Sequence, residues 1–571
     1  MGKEGEKQFD QNSKEVRNIW PQSDLLRLAM NWSEDDLDKL QILVDDAWGE
    51  SHPCSVHLDE LSEEVKIGVW ENGGRPAQFH VTDICDGWAQ GHEGMNYILP
   101  SRETMADMVE IHGSVIPWDG AVLLSASDKS VPAHLMAIAR LDLAAVHVPG
   151  GSMRPGPDMQ NTILGDVSTQ VKEGKISKEE VRRKQLISAT SCGACQFMGT
   201  ASTMQCMAEA LGMAIPGSAV APATMSVIKR NARLAGKAVI NLKRRGLKAS
   251  DIMTEAAFEN AVMVHAAIGG STNALLHLPA IARELDINLE LDIFDKYNKE
   301  IPHLAWVQPS GPFPSELFWY AGGVPLLQYY LQDYLNLDVL TITGKTLGEN
   351  LKELEKRRYF SLYENYLNNY NVEKDKVINP PEKAETTGSI AILSGNLAPE
   401  GAVVKYSAVD KDMMQHIGLA RVFDSEEECC DAITGGEIDP GDVLIIRYEG
   451  PRGSGMPENL MVGEAIMENK ELANTTVLIT DGRYSGGTRG PCIGHVEPEA
   501  MDGGPIAVVK DGDLIEVNIP GRKLNITGFD GEKKTPELVK KEIKNRLDKW
   551  EEPESPFKKG VLAKFTRKDQ K

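Results

Sequence analysis

The sequence has no uninterrupted apolar run near the roughly 20 residues that a membrane-spanning helix requires. Its first ten residues, MGKEGEKQFD, lack the apolar core of a secretory signal. It is also short of basic residues: 61 Lys and Arg stand against 84 Asp and Glu, which gives a formal net charge of −23. An acidic chain lacks the attraction for phosphates on which nucleic-acid binding depends. We therefore expect a cytoplasmic protein that binds neither membranes nor nucleic acids.

Cysteine is scarce as well, with eight residues in 571. This number is too small for a disulfide scaffold in a chain of this length. A single CxxC pair occurs, Cys192 and Cys195, whereas a structural zinc site usually needs a second pair. In a reducing compartment the cysteines are expected to be buried thiols, metal ligands or nucleophiles. Apolar residues at 41% and charged residues at 25% are typical of globular proteins and exclude a collagen, a long coiled coil and wholesale disorder.

Helix and strand signals alternate along the first two thirds of the chain. The run HLMAIARLDLAAVHVPGG predicts a helix, a β-branched strand and a turn. The run HLDELSEEVKIGVWENGG predicts a helix that ends at Gly73 and Gly74, and the run DDLDKLQILVDDA also predicts a helix. The turn GGSTN precedes a further amphipathic helix, which Thr272 or Asn273 is expected to cap. Alternation of this kind favours an α/β layer fold.

The composition changes near residue 372. The segment VEKDKVINPPEKAETTGS is polar and contains Pro380 and Pro381, which is typical of a linker. Beyond it, strand signals are short and turns are frequent, which favours a barrel or a sandwich. We therefore predict an N-terminal α/β domain with parallel sheets over residues 1–375 and a C-terminal β-barrel-like domain over residues 385–571.

Four glycine-punctuated loops follow strand signals, the usual place for ligand binding in α/β folds. The first loop, CDGWAQGHEGM, contains Asp86, whose carboxylate is a hard oxygen ligand suited to Mg²⁺. The second places Asp128 beside Lys129, a metal ligand next to an amine that becomes reactive when buried. Taken singly, each also fits a structural role, as a turn aspartate without a ligand or as a surface ion pair.

The other two loops carry thiols and a serine. The segment SCGAC holds Cys192 and Cys195, which fit redox chemistry, zinc, an iron–sulfur cluster or two inert buried thiols. The fourth region joins RGSGMPE, which ends at Glu458, to DGRYSGGT, which contains Ser485. It does not follow the GxSxG pattern of hydrolases, and a glycine-rich turn near bound anions is the simpler structural explanation.

These loops belong to a longer series of motifs in a fixed order. The motifs are CDGWAQGHEGMNYILPSRE, SDKSVPAHLMAIARL, VPGGSM, CGACQFMGTASTMQ, GGSTNALLHLPAIA, YEGPRGSGMPE and TDGRYSGGTRG. On these motifs the chain, from about residue 30 to residue 530, closely resembles the superfamily that contains dihydroxy-acid dehydratase, phosphogluconate dehydratase and the aldonate, or sugar-acid, dehydratases.

The resemblance implies a two-domain hydro-lyase, an enzyme that removes water from a 2,3-dihydroxy acid to give a 2-keto acid with the help of an iron–sulfur cluster, of the 2Fe–2S type, and Mg²⁺. It implies that Asp86, Asp128 and Glu458 hold Mg²⁺, and that Lys129 is carbamylated and serves as a further ligand. It assigns Ser485 as the base. It also implies a homodimer or homotetramer.

Cluster binding is where the chain departs from the family pattern. The resemblance aligns the three cluster positions with Cys54, Ser127 and Cys195, and the second of these is a cysteine in the family. Because serine oxygen is a poor replacement for thiolate, three explanations are open. In the first, the chain is an engineered or inactive variant. In the second, the serine itself binds iron, or Cys85 or Cys192 replaces the serine as a ligand. In the third, the cluster is lost and the protein has another use.

The segments MNWSEDDLDK, CQFMGTASTMQ, IPGSAVAPA and VQPSGP resemble the sugar-acid branch. They predict a sugar-acid substrate, an aldonate such as a pentonate or hexonate, and a role in carbohydrate metabolism. The alternative within the family is dihydroxy-acid dehydratase of branched-chain amino-acid synthesis. An alternative of another class is a non-catalytic homologue that lacks the cluster because of Ser127. A zinc site at Cys54, Cys192 and Cys195 is a third alternative.

Overall fold

A computed structural model of the chain describes residues 11–157, 176–188, 190–486 and 490–568. It is a mixed α/β structure with two sheets, as the sequence predicts. In this part of the chain, no helix combines the length and the apolar character that crossing a bilayer would demand.

The first sheet has four parallel strands in the order β2-β1-β3-β4. Helices pack against it, so its strands are buried over most of their length, as is usual for parallel sheets. The strands are β1 (Leu40–Asp46), β2 (Gly74–His80), β3 (Gly120–Ser125) and β4 (Ala144–Pro149).

Strand β1 corrects one prediction. The run DDLDKLQILVDDA forms only a four-residue helix, Glu34–Leu37, and then strand β1, so the helix predicted for the whole run is wrong. All seven residues of β1 are buried. A strand buried on both faces reads as a continuous apolar run, and periodicity cannot distinguish such a run from a helix.

The helices surround the first sheet and also accompany the second. Two of them, Leu58–Glu71 and Ser226–Arg245, pack very closely, because a Cβ at Gly68 would lie only 2.1 Å from the Arg233 carbonyl oxygen. The described helices are Asn12–Ile19, Ser23–Ala29, Glu34–Leu37, Leu58–Glu71, Asp86–Ala89, Ile98–Val115, Ser130–Leu141, Lys178–Ser188, Thr200–Ala210, Ser226–Arg245, Ala249–Ile252, Glu255–Ile268, Ala274–Arg283, Leu291–Glu300, Ser315–Tyr320, Gly323–Tyr330, Leu347–Lys356, Lys374–Val377, Glu426–Thr434, Pro451–Ser454, Met461–Glu468, Lys470–Ala473, Pro536–Leu547 and Gly560–Phe565.

The second sheet has nine strands in the order β13-β12-β11-β7-β8-β9-β10-β6-β5, with parallel and antiparallel pairs. It curls, because Ser394, which follows edge strand β5, forms a bridge with Lys523 of β12. This gives the C-terminal region the barrel-like form that the sequence predicts. The strands are β5 (Ala391–Leu393), β6 (Gly401–Val404), β7 (Gln415–Phe423), β8 (Val443–Ile446), β9 (Val477–Thr480), β10 (Cys492–Glu497), β11 (Leu514–Asn518), β12 (Lys523–Phe529) and β13 (Glu532–Lys533).

The predicted linker packs against the N-terminal region. Ile378 pairs with Ala305 and Thr387 pairs with Pro302 in isolated β-bridges. One large apolar core surrounds the first sheet, and another lies inside the curled second sheet. The division into domains at residues 1–375 and 385–571 stays a prediction.

Candidate active site

The carboxyl ends of the four parallel strands converge on one edge of the first sheet, and loops that follow them carry candidate residues. Cys54 follows β1, and Cys85 and Asp86 follow β2. The segment from Ser127 to Lys129 follows β3. In a parallel sheet these ends lie together, so the topology itself brings the loops to one place.

A cavity of about 330 Å³ lies where these loops meet the C-terminal region. Its volume is in the range of small-molecule sites. The structure thus brings together Asp86, Asp128, Glu458 and Ser485, which are widely separated in the sequence. The cavity is lined by Cys85, Asp86, Gly87, Gln90, Asp128, Cys195, Phe197, Gly199, Thr200, Ala201, Glu458, Leu460, Met461, Glu464, Ser485 and Gly486.

Lys129 is completely buried beside this cavity. Its Nζ lies 2.8 Å from Asp86 Oδ2 and 4.0 Å from Glu458 Oε1. The ammonium group therefore offsets part of the negative charge that the two carboxylates concentrate here. The surface ion pair considered for this loop is wrong, because the lysine has no solvent-exposed area.

Glu458 is held by two side chains. Its Oε1 accepts hydrogen bonds from Arg483 Nη1 at 2.8 Å and from Asn273 Nδ2 at 2.7 Å. Burial raises the pKa of Glu458, and the charge of Arg483 acts in the opposite direction. Arg483 has no exposed area and Glu458 is 4% exposed, so both sides of this ion pair are buried.

Sequence reasoning missed the roles of Asn273 and Arg483. The sequence suggests Asn273 as a side-chain cap of the helix Ala274–Arg283, but its side chain makes no capping hydrogen bond and binds Glu458 instead. Arg483 lies in the motif TDGRYSGGTRG, but no role was predicted for it. The feature that could have indicated a role is an arginine in a glycine-rich turn after a buried strand. Residues 487–489 of that motif lie outside the described residues.

The carboxylate of Asp128 contacts the N-terminal end of the helix Thr200–Ala210. Its Oδ1 accepts a hydrogen bond from the Ala201 amide at 3.0 Å. Burial, and then the neighbouring charge of Asp86, raises the pKa of Asp128 well above its usual range. Crowded carboxylates of this kind repel one another until a cation or protons neutralise them.

The oxygen donors in the cavity fit Mg²⁺. Asp86 Oδ1 is buried and has no hydrogen-bond partner among the described residues, although Oδ2 is paired with Lys129. A buried oxygen without a partner is costly unless a ligand satisfies it. Together with Asp128 and Glu458 it forms a set of hard oxygen donors on one cavity, which is what Mg²⁺ prefers.

Soft ligands lie on the adjoining side. The thiols of Cys54 and Cys85 and a ring nitrogen of His52 all lie within 4.8 Å of one another. A hydrogen bond with Cys85, and then burial, raises the pKa of Cys54 well above its usual range, and the same hydrogen bond lowers the pKa of Cys85. Cys195 lines the cavity, and burial raises its pKa.

The loops of Cys54 and Cys195 are joined through the backbone. The Gly193 amide donates to the Pro53 carbonyl oxygen at 2.9 Å. Gly193 has φ +114°, and a Cβ there would lie 2.5 Å from the carbonyl carbon of Ser152, so the tight turn of the CGAC segment requires glycine. Thiolates grouped in this way fit an iron–sulfur cluster.

Ser127 makes hydrogen bonds within the protein at the position where the family pattern has a cysteine. Its hydroxyl donates to the Ile84 carbonyl oxygen at 2.8 Å, and its amide donates to Ser130 Oγ. Like Cys54, Ser127 is buried and is absent from the lining of the cavity that the described residues form.

Ser485 lies at a junction of two spaces. It lines the main cavity and also a small neighbouring one that Lys405 and His495 line. The next residue, Gly486, packs so closely that a Cβ would lie 2.9 Å from Gly199 Cα. This contact fixes the serine loop against the first residues of the helix Thr200–Ala210.

Comparison with known proteins shows the family to which the chain belongs. The N-terminal family profile "Dihydroxy-acid/6-phosphogluconate dehydratase" matches residues 39–350, and the C-terminal profile of the same family matches residues 376–571. The chain belongs to the dihydroxy-acid/6-phosphogluconate dehydratase family. As a dehydratase it is a hydro-lyase, which sets aside the non-catalytic alternative.

Several relatives of this dehydratase are similar over almost their whole length. Dihydroxy-acid dehydratase 1 of Methanosarcina acetivorans is 44% identical over 92% of this chain and 94% of its own. The dihydroxy-acid dehydratase of Methanothermobacter thermautotrophicus is 44% identical over 94% of this chain and 93% of its own. That of Caldanaerobacter subterraneus subsp. tengcongensis is 42% identical over 95% of this chain and 94% of its own.

The prediction of a sugar-acid substrate, and with it a role in carbohydrate metabolism, is wrong. The relatives named above are all called dihydroxy-acid dehydratase. The structure shows why the sequence segments misled: MNWSEDDLDK, IPGSAVAPA and VQPSGP contribute no residue to the cavity lining that the structure describes. The fourth, CQFMGTASTMQ, does line the cavity, and it contributes the apolar Phe197.

Proposed function

We propose that this dehydratase acts on 2,3-dihydroxy acids with a branched aliphatic side chain, and so is a dihydroxy-acid dehydratase of branched-chain amino-acid synthesis. One observation carries the proposal: Phe197, Leu460 and Met461 line the same cavity as the carboxylates. A branched alkyl group needs apolar walls, whereas a polyol chain needs several polar partners. The names of the relatives agree with this choice.

Two groups of residues would hold the cofactors. Asp86, Asp128 and Glu458 would bind Mg²⁺, with Lys129 as a fourth ligand once carbamylation has turned its amine into an anionic oxygen donor. Cys54 and Cys195 would bind an iron–sulfur cluster. When bound, Mg²⁺ and the cluster would supply Lewis acidity, which neutralises the charge that develops on the substrate's acid end and assists departure of the 3-hydroxyl.

The chain's own side chains would orient and deprotonate the substrate. Ser485 is assigned as the base that removes the C2 proton; a serine hydroxyl does this only when nearby positive charge has favoured its deprotonation. Arg483 and Asn273 would keep Glu458 in place by their hydrogen bonds. The apolar walls would fix the alkyl group and limit access of water. Protonation of the resulting enol at C3 then gives the 2-keto acid.

The predicted domains would share this site. The N-terminal region would supply the thiols, Asp86, Asp128 and Lys129, and the C-terminal region would supply Glu458 and Ser485. The site would therefore be complete only when the two regions pack together.

Substrate preference tests the proposal. Protein reconstituted anaerobically with iron, sulfide and Mg²⁺ should form 2-keto acid from 2,3-dihydroxyisovalerate with a much higher kcat/KM than from pentonates or hexonates. Efficient turnover of the aldonates alone would reject it.

A further inference from the structure

Three thiols, and not two, surround the soft-ligand side of the cavity. Cys85 and Cys195 both line it, and the Cys54 thiol lies within 4.8 Å of the Cys85 thiol. The three come from loops after β1 and β2 and from the CGAC segment, so no two are neighbours in sequence. Thiols that share a site without forming a disulfide are suited to a soft metal centre.

The hydroxyl of Ser127 already has a hydrogen-bond partner within the protein. It donates to the carbonyl oxygen of Ile84, the residue directly before Cys85. Turning the Ser127 oxygen toward a metal would break that hydrogen bond and leave the Ile84 carbonyl without it. The contact instead connects the β3 loop to the loop that carries Cys85.

We infer that Cys85 is the third thiolate of the iron–sulfur site, beside Cys54 and Cys195, and that Ser127 is not an iron ligand. The inference rests on the proposed function for its cofactor. The site takes iron and inorganic sulfide, and each thiol releases its proton to solvent as its sulfur bonds to iron. The chain therefore keeps a full set of three thiolates although position 127 is a serine.

Iron binding separates Cys85 from Ser127. We compare Cys85→Ser with Ser127→Ala after anaerobic reconstitution, and measure iron, acid-labile sulfide and the visible absorption of the cluster. Cys85→Ser should remove most of the bound iron, because serine oxygen is a poor replacement for a thiolate ligand. Ser127→Ala should keep most of the iron.

The matched control for Cys85→Ser is Cys192→Ser. It removes a thiol from the same CxxC pair as Cys195, but among the described residues Cys192 belongs neither to the cavity lining nor to the group of His52, Cys54 and Cys85. Cys192→Ser should therefore bind iron like the unaltered protein. Loss of iron in this variant, with iron kept in Cys85→Ser, would assign the third thiolate to Cys192 and overturn the inference.

Thiol labelling provides a test that needs no variant. Iodoacetamide is applied under anaerobic conditions to the loaded protein and to protein stripped of iron by a chelator, and the labelled cysteines are identified by mass spectrometry. Cys85 should be protected in the loaded protein and labelled after stripping, whereas Cys192 should be labelled equally in both. This comparison decides the matter if Cys85→Ser folds poorly or if both variants lose iron.

Other results would also overturn the inference. These are iron retained by Cys85→Ser but lost by Ser127→Ala, equal labelling of Cys85 with and without iron, zinc in place of iron, or no iron uptake by the unaltered protein. Failure of the proposed function looks different, because it would be a loaded protein, with Cys85 protected, that does not turn over the branched dihydroxy acid.

Discussion

Arg483 and Glu458 form an ion pair of 2.8 Å in which both side chains are buried. They are 25 positions apart, in two loops of the C-terminal region, and Asn273 of the N-terminal region donates to the same carboxylate oxygen. The candidate metal ligand Glu458 is therefore held from both regions of the chain.

Arg483→Met should destabilise the protein, because it leaves the Glu458 carboxylate buried without its cation. Breaking one side of a buried pair typically costs about 3–5 kcal/mol. Urea denaturation should show a lower free energy of unfolding. The matched control is Arg233→Met, which removes an exposed pair with Glu64 and should leave the midpoint almost unchanged. Equal stability of the two variants would contradict the role given to Arg483.

Lys129→Met should abolish Mg²⁺-dependent turnover, because it removes the amine that carbamylation converts into an oxygen ligand. The unaltered protein in ¹³C-labelled bicarbonate should show a carbamate signal by NMR that the variant lacks. Lys66→Met, which changes a lysine paired with Glu63 at the surface, should keep both signal and activity. A carbamate signal that persists in Lys129→Met would show that the carbamate is not on Lys129.

Ser485→Ala should lower kcat by roughly 10²–10⁴, the usual contribution of a general base, while folding and metal content stay intact. Exchange of the substrate's C2 hydrogen with solvent should slow in parallel. Ser454→Ala is a suitable control, since Ser454 donates to Glu449 and does not line the main cavity in the described structure. Full activity of Ser485→Ala would show that another group takes the proton.

Lys405 gives the stability a pH dependence of defined sign. Burial lowers the pKa of Lys405 to about 7, and its Nζ donates to the Gly269 carbonyl oxygen at 2.8 Å. Between this value and the ordinary pKa near 10.5 the unfolded chain binds more protons than the folded one, so this group makes stability rise with pH across that window. His265 and His303 lie nearby, and burial lowers the pKa of each to about 4, so neither titrates there.

The Lys405 contribution is measured by the free energy of unfolding from pH 7 to pH 10.5, compared between the unaltered protein and Lys405→Met. The rise with pH should be smaller in the variant, by an amount on the order of 4 kcal/mol. Identical slopes would mean that Lys405 keeps an ordinary pKa in the folded state.

Leu460→Ser should weaken binding of a branched dihydroxy acid, because it replaces part of the apolar wall with a hydroxyl. Loss of a few buried methyl groups is worth about 1–3 kcal/mol, or roughly 10- to 200-fold in kcat/KM. Leu538→Ser, on an exposed helix position, serves as the control. An unchanged kcat/KM in Leu460→Ser would place the alkyl group elsewhere.

Much of the fold could be predicted from the sequence, and the reason is local. Gly73 and Gly74 mark the end of a helix, and the run ending at Pro149 has β-branched residues before a turn, so both elements are confirmed. Strand β1 could not be recognised, because its apolar run has no alternation when both faces are buried.

The site could be predicted only in part. Asp86, Asp128 and Lys129 follow strands, and parallel strands end at one edge, so their proximity follows from the fold class. Glu458 and Ser485 were assigned by resemblance, since nothing in their spacing indicates which loop they meet. The hydrogen bonds of Asn273 and Ser127 depend on side-chain directions that only the packed structure defines.

Anomalous diffraction from crystals of the reconstituted protein, with Mn²⁺ in place of Mg²⁺, tests the shared site most directly. We predict a manganese peak bounded by Asp86, Asp128 and Glu458, and iron peaks beside Cys54, Cys85 and Cys195. A manganese peak away from these three carboxylates, or iron bound at other residues, would contradict the account.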